Sequence, residues 1–330
     1  MIKMENKNLN INRRNFLTSA GLAGAGLMAF PSAAHGQEKI DNTGIYRNLK
    51  TRIEIEEQME KLQRKNLLDS KGLAIQDPSN KQKVRGFIDI PTVWGEQLKP
   101  HYFKSMWWDI EDYYKINHPV RAPIGLVEAI KKYTYINANL DSHLYLSSNH
   151  LIEYPFLYIA TDKAFELTKT EKENFENYLK NGGFAVLESV KPELDYNQAE
   201  ISLKQMLRDS LKKDARFLPI PNSHKLYHCF FDFNEGPPQG MEINMARIKS
   251  WSGSAGPGWN DFTFPKPRPY LEGISLDDRL AVVYSGKGYG QKWNDISNNE
   301  PQQKMGVNFV VYALTQKGGI AQKVEKTNIR

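Results

Sequence analysis

From residue 84 onward, short apolar runs alternate with longer stretches whose apolar residues recur at helical spacing. The short runs predict strands, because a strand covered on both faces of a parallel sheet carries few polar side chains. The predicted strands are Val84–Ile90, Ser142–Leu146, Phe156–Thr161, Phe184–Leu187 and Arg279–Tyr284. The predicted helices are Ile124–Tyr133, one that follows Thr168, Asp195–Lys213 and Gly306–Gln316.

Turn and cap residues separate these elements. Pro91 is expected to end the first strand. Thr168 and Glu171 have the spacing of a capping box, which opens a helix, and Asn181-Gly182-Gly183 supplies the left-handed conformation that ends it. Strands that alternate with helices across short turns predict an α/β fold with a mostly parallel sheet and helices on both faces.

The rest of the chain divides by composition. Ile45–Leu68 is dense in charge, with apolar residues at helical spacing, and predicts an amphipathic surface helix. Residues 69–83 contain Gly72, Pro78 and many polar residues, which indicates a linker. The expected organisation is an N-terminal helix and linker at 37–83, an α/β domain at 84–318 with a loop-rich insertion at 216–269, and a polar tail at 319–330.

The first 36 residues have the layout of an export signal. Arg13 and Arg14 precede an uncharged stretch, residues 16–30, that is rich in Ala, Gly and Leu, and a zone of small residues follows. This layout predicts a twin-arginine signal peptide that is cleaved after Ala34 or Gly36. The apolar stretch is too short to cross a bilayer, so we expect a periplasmic protein that does not span the membrane after cleavage.

Charge and cysteine content argue against several classes of function. The net charge of the 330 residues is +6, and residues 1–36 supply half of it, so the remaining chain is too weakly basic to indicate nucleic-acid binding. Cys229 is the single cysteine and is expected to be buried as a small apolar residue. No spacing of cysteines or histidines matches an iron–sulfur or haem motif, and we expect no cofactor.

Several segments resemble the bacterial family called domain of unknown function 4159. They are Tyr154–Ile159, Tyr178–Phe184, Leu218-Pro219 with His224, Arg279–Ser285 and Gly306–Thr315, and the resemblance covers about residues 84–318. The family resembles the class I glutamine amidotransferase-like superfold, which implies a three-layer, flavodoxin-like sheet and no established activity. Amidotransferases of that superfold carry a cysteine nucleophile on the turn after a buried strand. The turn after Leu187 carries Glu188 and Ser189 instead, so amidotransferase activity is not expected.

The candidate site is expected at the carboxyl ends of the parallel strands, where open α/β sheets bind ligands. The candidate ligand-binding residues are Asp89, Trp94, Asp162, Glu188, Ser189, His224, Ser285 and Trp293. The carboxylates Asp162 and Glu188 could act together as general acid and base or hold a metal. Taken singly, Asp162 is as readily explained by a turn cap and Glu188 by an ion pair with a lysine, and no catalytic residue is assigned.

Three further motifs have structural explanations that compete with a functional one. His224 and His228 have the spacing of metal ligands on a helix, but the aromatic segment Tyr227–Phe233 predicts a strand, in which residues four apart lie ~13 Å from each other. We therefore expect no metal site. The aromatic cluster at 106–114 could stack on a sugar or peptide or fill a core, and Trp251 and Trp259 stand among Gly, Ser and Asn in later loops. The glycine-rich loop at 285–290 could present amides to an anion or be an ordinary turn.

Two hypotheses of function follow. The first is a non-catalytic or weakly catalytic domain that binds an envelope protein or a small ligand through loops over the carboxyl ends of the strands. It rests on the lack of a catalytic triad, a metal-ligand set and a cofactor motif in the sequence. The alternative is a cell-envelope hydrolase that uses Asp162 and Glu188, or a bound metal. Whether the protein is an enzyme stays open at this point.

Overall fold

The computed structural model describes residues 70–100, 121–190, 197–241, 268–293 and 299–322, except for the side chain of Arg121. The strands in these ranges form two sheets, one of three strands and one of five. No helix in these ranges combines the length and the apolar character needed to cross a membrane. The signal peptide, the helix predicted at 45–68, the aromatic cluster at 106–114, Trp251 and Trp259 lie outside the described residues.

The first sheet begins with a hairpin. β1 (Gly72–Asp77) and β2 (Asn80–Trp94) pair antiparallel across a turn at residues 78–79. Helix α1 (Arg121–Tyr133) leads to β3 (Tyr135–Tyr145), which pairs parallel to β2. The linker predicted at 69–83 is therefore wrong. The many polar residues of this segment were misleading because, between residues 70 and 83, the hairpin buries only Gly72, Leu73 and Ala74 and leaves the other residues at least partly exposed.

Strand β2 continues past Pro91 to Trp94, so the prediction that Pro91 ends the strand is wrong. Proline has no N–H to donate to a ladder and is tolerated in a strand where the pairing is irregular. The register between β2 and β3 shifts between Ile90 and Thr92, and this irregularity accommodates Pro91. Because β2 is longer than predicted, Asp89 lies inside the strand and not at its carboxyl end.

The second sheet consists of β4 (Phe156–Thr161), β5 (Phe184–Ser189), β6 (Leu218–Pro219), β7 (Glu272–Leu276) and β8 (Arg279–Ser285). Their order across the sheet is β4-β5-β8-β7-β6. Strands β4, β5 and β8 run parallel, whereas β7 and β6 run antiparallel to their neighbours. Helix α2 (Lys169–Lys180) joins β4 to β5, and α3 (Gln198–Leu211) follows β5. The short helix α4 (Tyr289–Trp293) and the long helix α5 (Glu300–Thr315) follow β8.

The α/β class is confirmed, but the strands do not form the single, mostly parallel sheet that the sequence predicted, because both sheets contain antiparallel pairs. The strand expected at 227–233 is also wrong. Residues 225–227 form a short 3-10 turn, and the side chain of Asn308 on α5 bonds the backbone of Leu226 and Phe231. These side-chain bonds satisfy backbone groups that a strand ladder would otherwise pair.

Strands β4 and β5 bury side chains on both faces. Alternate residues point to opposite sides of a strand, and here each side has its own core cluster. Phe156 and Tyr158 belong to the cluster that includes residues of α1 and α5, whereas Leu157 and Ile159 belong to the cluster that includes residues of α2 and α3. Helices therefore cover both faces of these strands, as predicted. Cys229 is buried in the first cluster, which confirms that expectation.

The signals that bound α2 are confirmed. The Thr168 side chain accepts from the Glu171 N–H, and the Glu171 carboxylate accepts from the Thr168 N–H, which is the predicted capping box. Beyond the end of the helix, Gly182 has a φ of +102°, which is the left-handed conformation expected there. Helix α2 therefore begins and ends where these two local motifs place it.

Candidate functional site

Four of the predicted residues lie at the carboxyl edge of the second sheet, the edge at which β4, β5 and β8 end. Glu188 and Ser189 are the last residues of β5, Ser285 is the last residue of β8, and Asp162 follows directly after β4. The strand register places Glu188 opposite Ser285 and Ser189 opposite Thr161. The parallel arrangement of these three strands brings the residues to one edge, as the sequence predicted.

Glu188 is fully buried and accepts four hydrogen bonds. Its Oε1 accepts from Ser285 Oγ at 2.7 Å and from the Tyr289 N–H at 2.8 Å. Its Oε2 accepts from Tyr158 Oη at 2.6 Å and from the Gly290 N–H at 2.7 Å. Each carboxylate oxygen therefore has one hydroxyl donor and one backbone donor, all from the protein itself.

Burial and hydrogen bonding shift the pKa of Glu188 in opposite directions. Removal from water disfavours the charged form and raises the pKa above its usual value, and the four donors offset part of that rise. The pKa of Tyr158 is also raised, first by its own burial and then by the charge of Glu188. The Tyr158 phenol therefore stays protonated and able to donate to the carboxylate.

Glu188 fixes the glycine-rich loop between β8 and α4. The two backbone donors, Tyr289 and Gly290, stand at the end of this loop and begin α4. Position 290 requires glycine, because a Cβ there would lie 2.1 Å from Tyr158 Oη, which is too close for any side chain. The sequence is compatible with either an anion-binding loop or an ordinary turn. In the structure, the backbone N–H groups of Tyr289 and Gly290 bind an anion of the protein itself, the Glu188 carboxylate.

Ser189 and Trp293 contribute to the same buried region. Ser189 Oγ donates to Asn197 Oδ1 at 2.9 Å. Trp293 packs against Tyr158 with ring centroids 5.0 Å apart and donates its indole N–H to the carbonyl of Gln302. Both side chains are buried. They therefore build the fold around Glu188 and do not present a surface to a ligand in this conformation.

Asp89 and Trp94 lie on β2, in the other sheet. Asp89 accepts a hydrogen bond from Asn139 and lies 4.0 Å from Lys71 Nζ. The Trp94 ring packs against His143 with a centroid distance of 5.0 Å. No hydrogen bond between described residues joins either side chain to Glu188. Neither residue stands on β4, β5 or β8, although Gly95, which follows Trp94, lies close to Glu171 at the start of α2.

The two histidines have different surroundings. His228 uses both ring nitrogens, with Asp232 at 3.0 Å and the Asn222 carbonyl at 2.8 Å. His224 Nδ1 accepts the Leu226 N–H at 3.1 Å. Within the ranges that the structure describes, no group of three or more His, Cys, Asp or Glu side chains could hold a metal ion.

A cleft of about 640 Å³ opens at the other end of the second sheet. We call it the β7 cleft, and its lining includes Arg216, Leu218, His224, Ser275, Asp277 and Leu280. The lining also contains Lys180, the last residue of α2, and Asp277 lies in the turn between β7 and β8. The cleft is therefore at the end of the sheet where the parallel strands β5 and β8 begin. Its volume is within the ~300–1,000 Å³ typical of ligand pockets.

The lining of the β7 cleft contains apolar side chains together with positively and negatively charged ones. Leu218 is 65% exposed and adds an apolar side chain to the lining of the cleft. Lys180 forms an ion pair with Glu176, which raises the pKa of the lysine. The carboxylates of Asp214 and Asp277 raise this pKa further. The cleft is therefore suited to a ligand that has both an apolar part and polar ends.

Two donors of the β7 cleft are available to a ligand. The Arg216 guanidinium is exposed and has no hydrogen bond or ion pair to any of the described residues. His224 is half-buried, and burial lowers its pKa, so its imidazole is neutral near pH 7. Because Nδ1 accepts the Leu226 N–H, the ring proton lies on Nε2.

Comparison with known families agrees with the resemblance seen in the sequence. A family model described as domain of unknown function (DUF4159) matches residues 112–314. The chain belongs to this family. The matched region of the DUF4159 protein contains Glu188 with its four donors and the whole lining of the β7 cleft. A comparison with curated proteins finds no match.

The sequence patterns place candidate residues at the carboxyl edge of this DUF4159 protein, but of the β7 cleft they include only His224. Arg216 and Ser275 belong to no motif, and strand β7 was not predicted. The signal that could have found it is Asp277-Asp278, whose φ angles of +48° and +61° fit the two-residue turn of a hairpin. A hairpin ending in β8 would have placed residues 272–276 at the sheet edge.

Proposed function

We propose that this DUF4159 protein is a non-catalytic or weakly catalytic binding domain and that its ligand occupies the β7 cleft. The observation that carries the proposal is the Arg216 guanidinium, which has no partner in the described part of the chain, beside the exposed Leu218. A concave surface with apolar walls and a few polar groups is the usual form of a ligand site. The occupant is a small ligand or a segment of an envelope protein.

The surroundings of Glu188 favour binding over hydrolysis. A general acid or base must reach its substrate directly or through one water. Glu188 is 0% exposed, and both of its oxygens already accept from protein donors. The hydrolase hypothesis needs this carboxylate to act with Asp162 in an open pocket, whereas its contacts are those of a structural anchor for the loop at 285–290.

Location and superfold are parts of the same proposal. The layout of residues 1–36 supports export by the twin-arginine pathway to the periplasm. The parallel order β4-β5-β8, with helices on both faces, supports a flavodoxin-like domain of the class I glutamine amidotransferase-like superfold. The antiparallel strands β6 and β7 would then be additions at one edge of that sheet.

The binding proposal is tested by thermal unfolding of the exported protein in the presence of peptides and sugars derived from the cell envelope. A ligand that binds only the folded state raises stability by ~2.7 kcal/mol at a hundredfold excess over its dissociation constant. We expect one class of these compounds to raise the unfolding temperature of the wild-type protein. The shift should be lost in Leu218→Ser and in Arg216→Ala.

Ile201→Ser is the matched control, because Ile201 is 53% exposed on α3 and does not line the β7 cleft. This variant should keep the full shift. Equal shifts in Leu218→Ser and the wild type would place the ligand elsewhere. If no class of compound shifts any variant, the proposed cleft function is wrong.

Export is tested separately by replacing Arg13 and Arg14 with lysine. We expect the wild-type protein in the periplasmic fraction, shortened by the length of the signal peptide, and the double variant in the cytoplasm at full length. The same distribution for both proteins would contradict the twin-arginine assignment and would leave the cleft proposal untouched.

A further inference from the structure

Strand β6 covers only part of the outer edge of β7. The Ile220 N–H donates to the Leu271 carbonyl at 2.8 Å, and the register pairs Leu218 with Gly273. Hydrogen-bonded pairs alternate with non-bonded pairs along an antiparallel ladder. Leu218–Gly273 is therefore a bonded pair, and Ser275 is the next residue of β7 whose N–H and C=O face the same side.

The chain turns away before it can pair with Ser275. Continuing the register would place Arg216 opposite Ser275, but the Arg216 N–H donates to the Asp214 carbonyl at 2.8 Å. Among the described residues, no backbone hydrogen bond reaches Ser275 from this side. Ser275 is exposed and lines the β7 cleft. An open N–H and C=O pair at a sheet edge is a template for another strand.

The side chains around Ser275 define what such a strand must carry. Leu218 lies beside it with 65% of its surface exposed, and the less exposed Leu276 and Leu280 extend the apolar lining. Arg216 offers a guanidinium that has no partner within the described ranges, and a carboxylate is the peptide side-chain group that pairs with a guanidinium through two parallel hydrogen bonds. The matching occupant therefore has an apolar side chain and a carboxylate close to each other.

We infer that the β7 cleft binds an extended peptide segment of a partner protein by strand addition at Ser275. The backbone of the segment bonds the N–H and C=O of Ser275, an apolar side chain covers Leu218, and a carboxylate pairs with Arg216. The open edge ends at the Asp277-Asp278 turn, so the pairing is short and the side chains supply most of the selectivity. This inference rests on the proposed function and names the class of its ligand.

A phage-displayed library of random linear peptides, selected on the wild-type protein, tests the inference. We expect enriched sequences in which an apolar residue lies close to an acidic one. Made as synthetic peptides, they should bind the wild type and Ser275→Ala equally, because alanine keeps the backbone N–H. Ser275→Pro removes an N–H that the fold does not use, and fluorescence anisotropy should show binding at least about tenfold weaker.

N-methylated peptides provide a measurement that does not depend on how well Ser275→Pro folds. Each backbone nitrogen of an enriched peptide is methylated in turn and the peptide is titrated against the wild-type protein. Strand addition predicts that one methylation weakens binding by about tenfold and that methylation of the next residue does not, because successive N–H groups face opposite edges. Arg216→Gln should weaken the acidic peptides and leave their amide analogues unchanged.

Two results would overturn the inference: no enrichment from the library, or peptides that bind Ser275→Pro as tightly as the wild type and tolerate every methylation. If peptides fail while small compounds still shift the wild type and not Leu218→Ser, the cleft is a binding site and only strand addition is wrong. If neither peptides nor small compounds depend on Leu218, the proposed function and the inference both fail.

Discussion

Tyr158 Oη donates a 2.6 Å hydrogen bond to Glu188 across the pair of strands β4 and β5, and both side chains are buried. The same carboxyl group accepts from Ser285 at the end of β8 and from two amides that begin α4. One side chain therefore joins three strands and a loop. A buried carboxyl group is costly unless it is fully hydrogen-bonded, and here the fold supplies every partner.

Glu188→Gln should lower the free energy of unfolding by about 1–3 kcal/mol, the cost of leaving a buried donor unpaired. Each carboxylate oxygen faces one backbone N–H, from Tyr289 or Gly290, which cannot become an acceptor. Either orientation of the new amide points its NH₂ group at one of these donors. Urea unfolding measures the loss.

Glu173→Gln is the control for this substitution, because Glu173 has 63% of its side chain exposed on α2. It should change stability by no more than about 0.5 kcal/mol. Equal stability of Glu188→Gln and Glu173→Gln would mean that the buried hydrogen bonds of Glu188 do not stabilise the fold.

Gly182→Ala should destabilise the protein by more than Gly318→Ala. Both glycines have positive φ, +102° and +80°, so both substitutions carry the backbone strain of a left-handed alanine, about 1–2 kcal/mol. A Cβ on Gly182 would also lie 2.6 Å from the Gly318 carbonyl oxygen, whereas a Cβ on Gly318 has only the Arg279 side chain at 3.8 Å. Thermal unfolding compares the two variants, and equal losses would contradict the clash.

The elements that the sequence predicted well are those whose signals are local. Strands β4 and β5 are buried on both faces, so their residues are nearly all apolar and are recognised without knowledge of their neighbours. Helix α2 carries its capping box and its glycine stop within its own sequence. The meeting of Glu188 with Ser285 could be predicted because parallel strands end at a common edge.

The elements that were missed depend on pairing between distant segments. Strand β6 has only two residues, and β7 has five that show no run of apolar residues. Their existence depends on a register that joins residues 218–219 to 272–273. The open position at Ser275 is a property of that register and of the turn at Arg216. The Asp277-Asp278 turn indicates a hairpin that would contain β7, but no local pattern reveals the open position at Ser275.

Asp278→Gly should raise the free energy of unfolding by about 0.5–1 kcal/mol. Asp277 and Asp278 form the two-residue turn between β7 and β8 with φ of +48° and +61°, a conformation in which glycine is favoured at the second position. Asp278→Ala is the control, since it removes the same charge and keeps the strain of a Cβ. Calorimetry should rank the glycine variant above the wild type and the alanine variant below it; the reverse order would show that the turn is not strained.

Glu200 gives the protein a testable dependence on pH. Its carboxylate is buried on α3, 2.9 Å from Lys204 Nζ and 2.9 Å from an Arg268 nitrogen. Burial alone would raise the pKa of Glu200, but the hydrogen bonds from Lys204 and Arg268 outweigh it and hold the pKa below its usual value of 4.5. The ionised carboxylate therefore stabilises the folded state above about pH 4.5, and this contribution is lost as the pH falls through the lowered pKa.

Glu200→Gln should consequently cost about 1–3 kcal/mol near neutral pH, where it replaces a charged hydrogen-bond acceptor, and progressively less in acid. The measurement is the difference in unfolding free energy between the wild type and the variant, taken at a series of pH values, so that titrations common to both proteins cancel. Glu173→Gln, on the exposed face of α2, should show a small difference at every pH. A gap between the wild type and Glu200→Gln that stays constant below pH 4.5 would show that Lys204 and Arg268 do not lower this pKa.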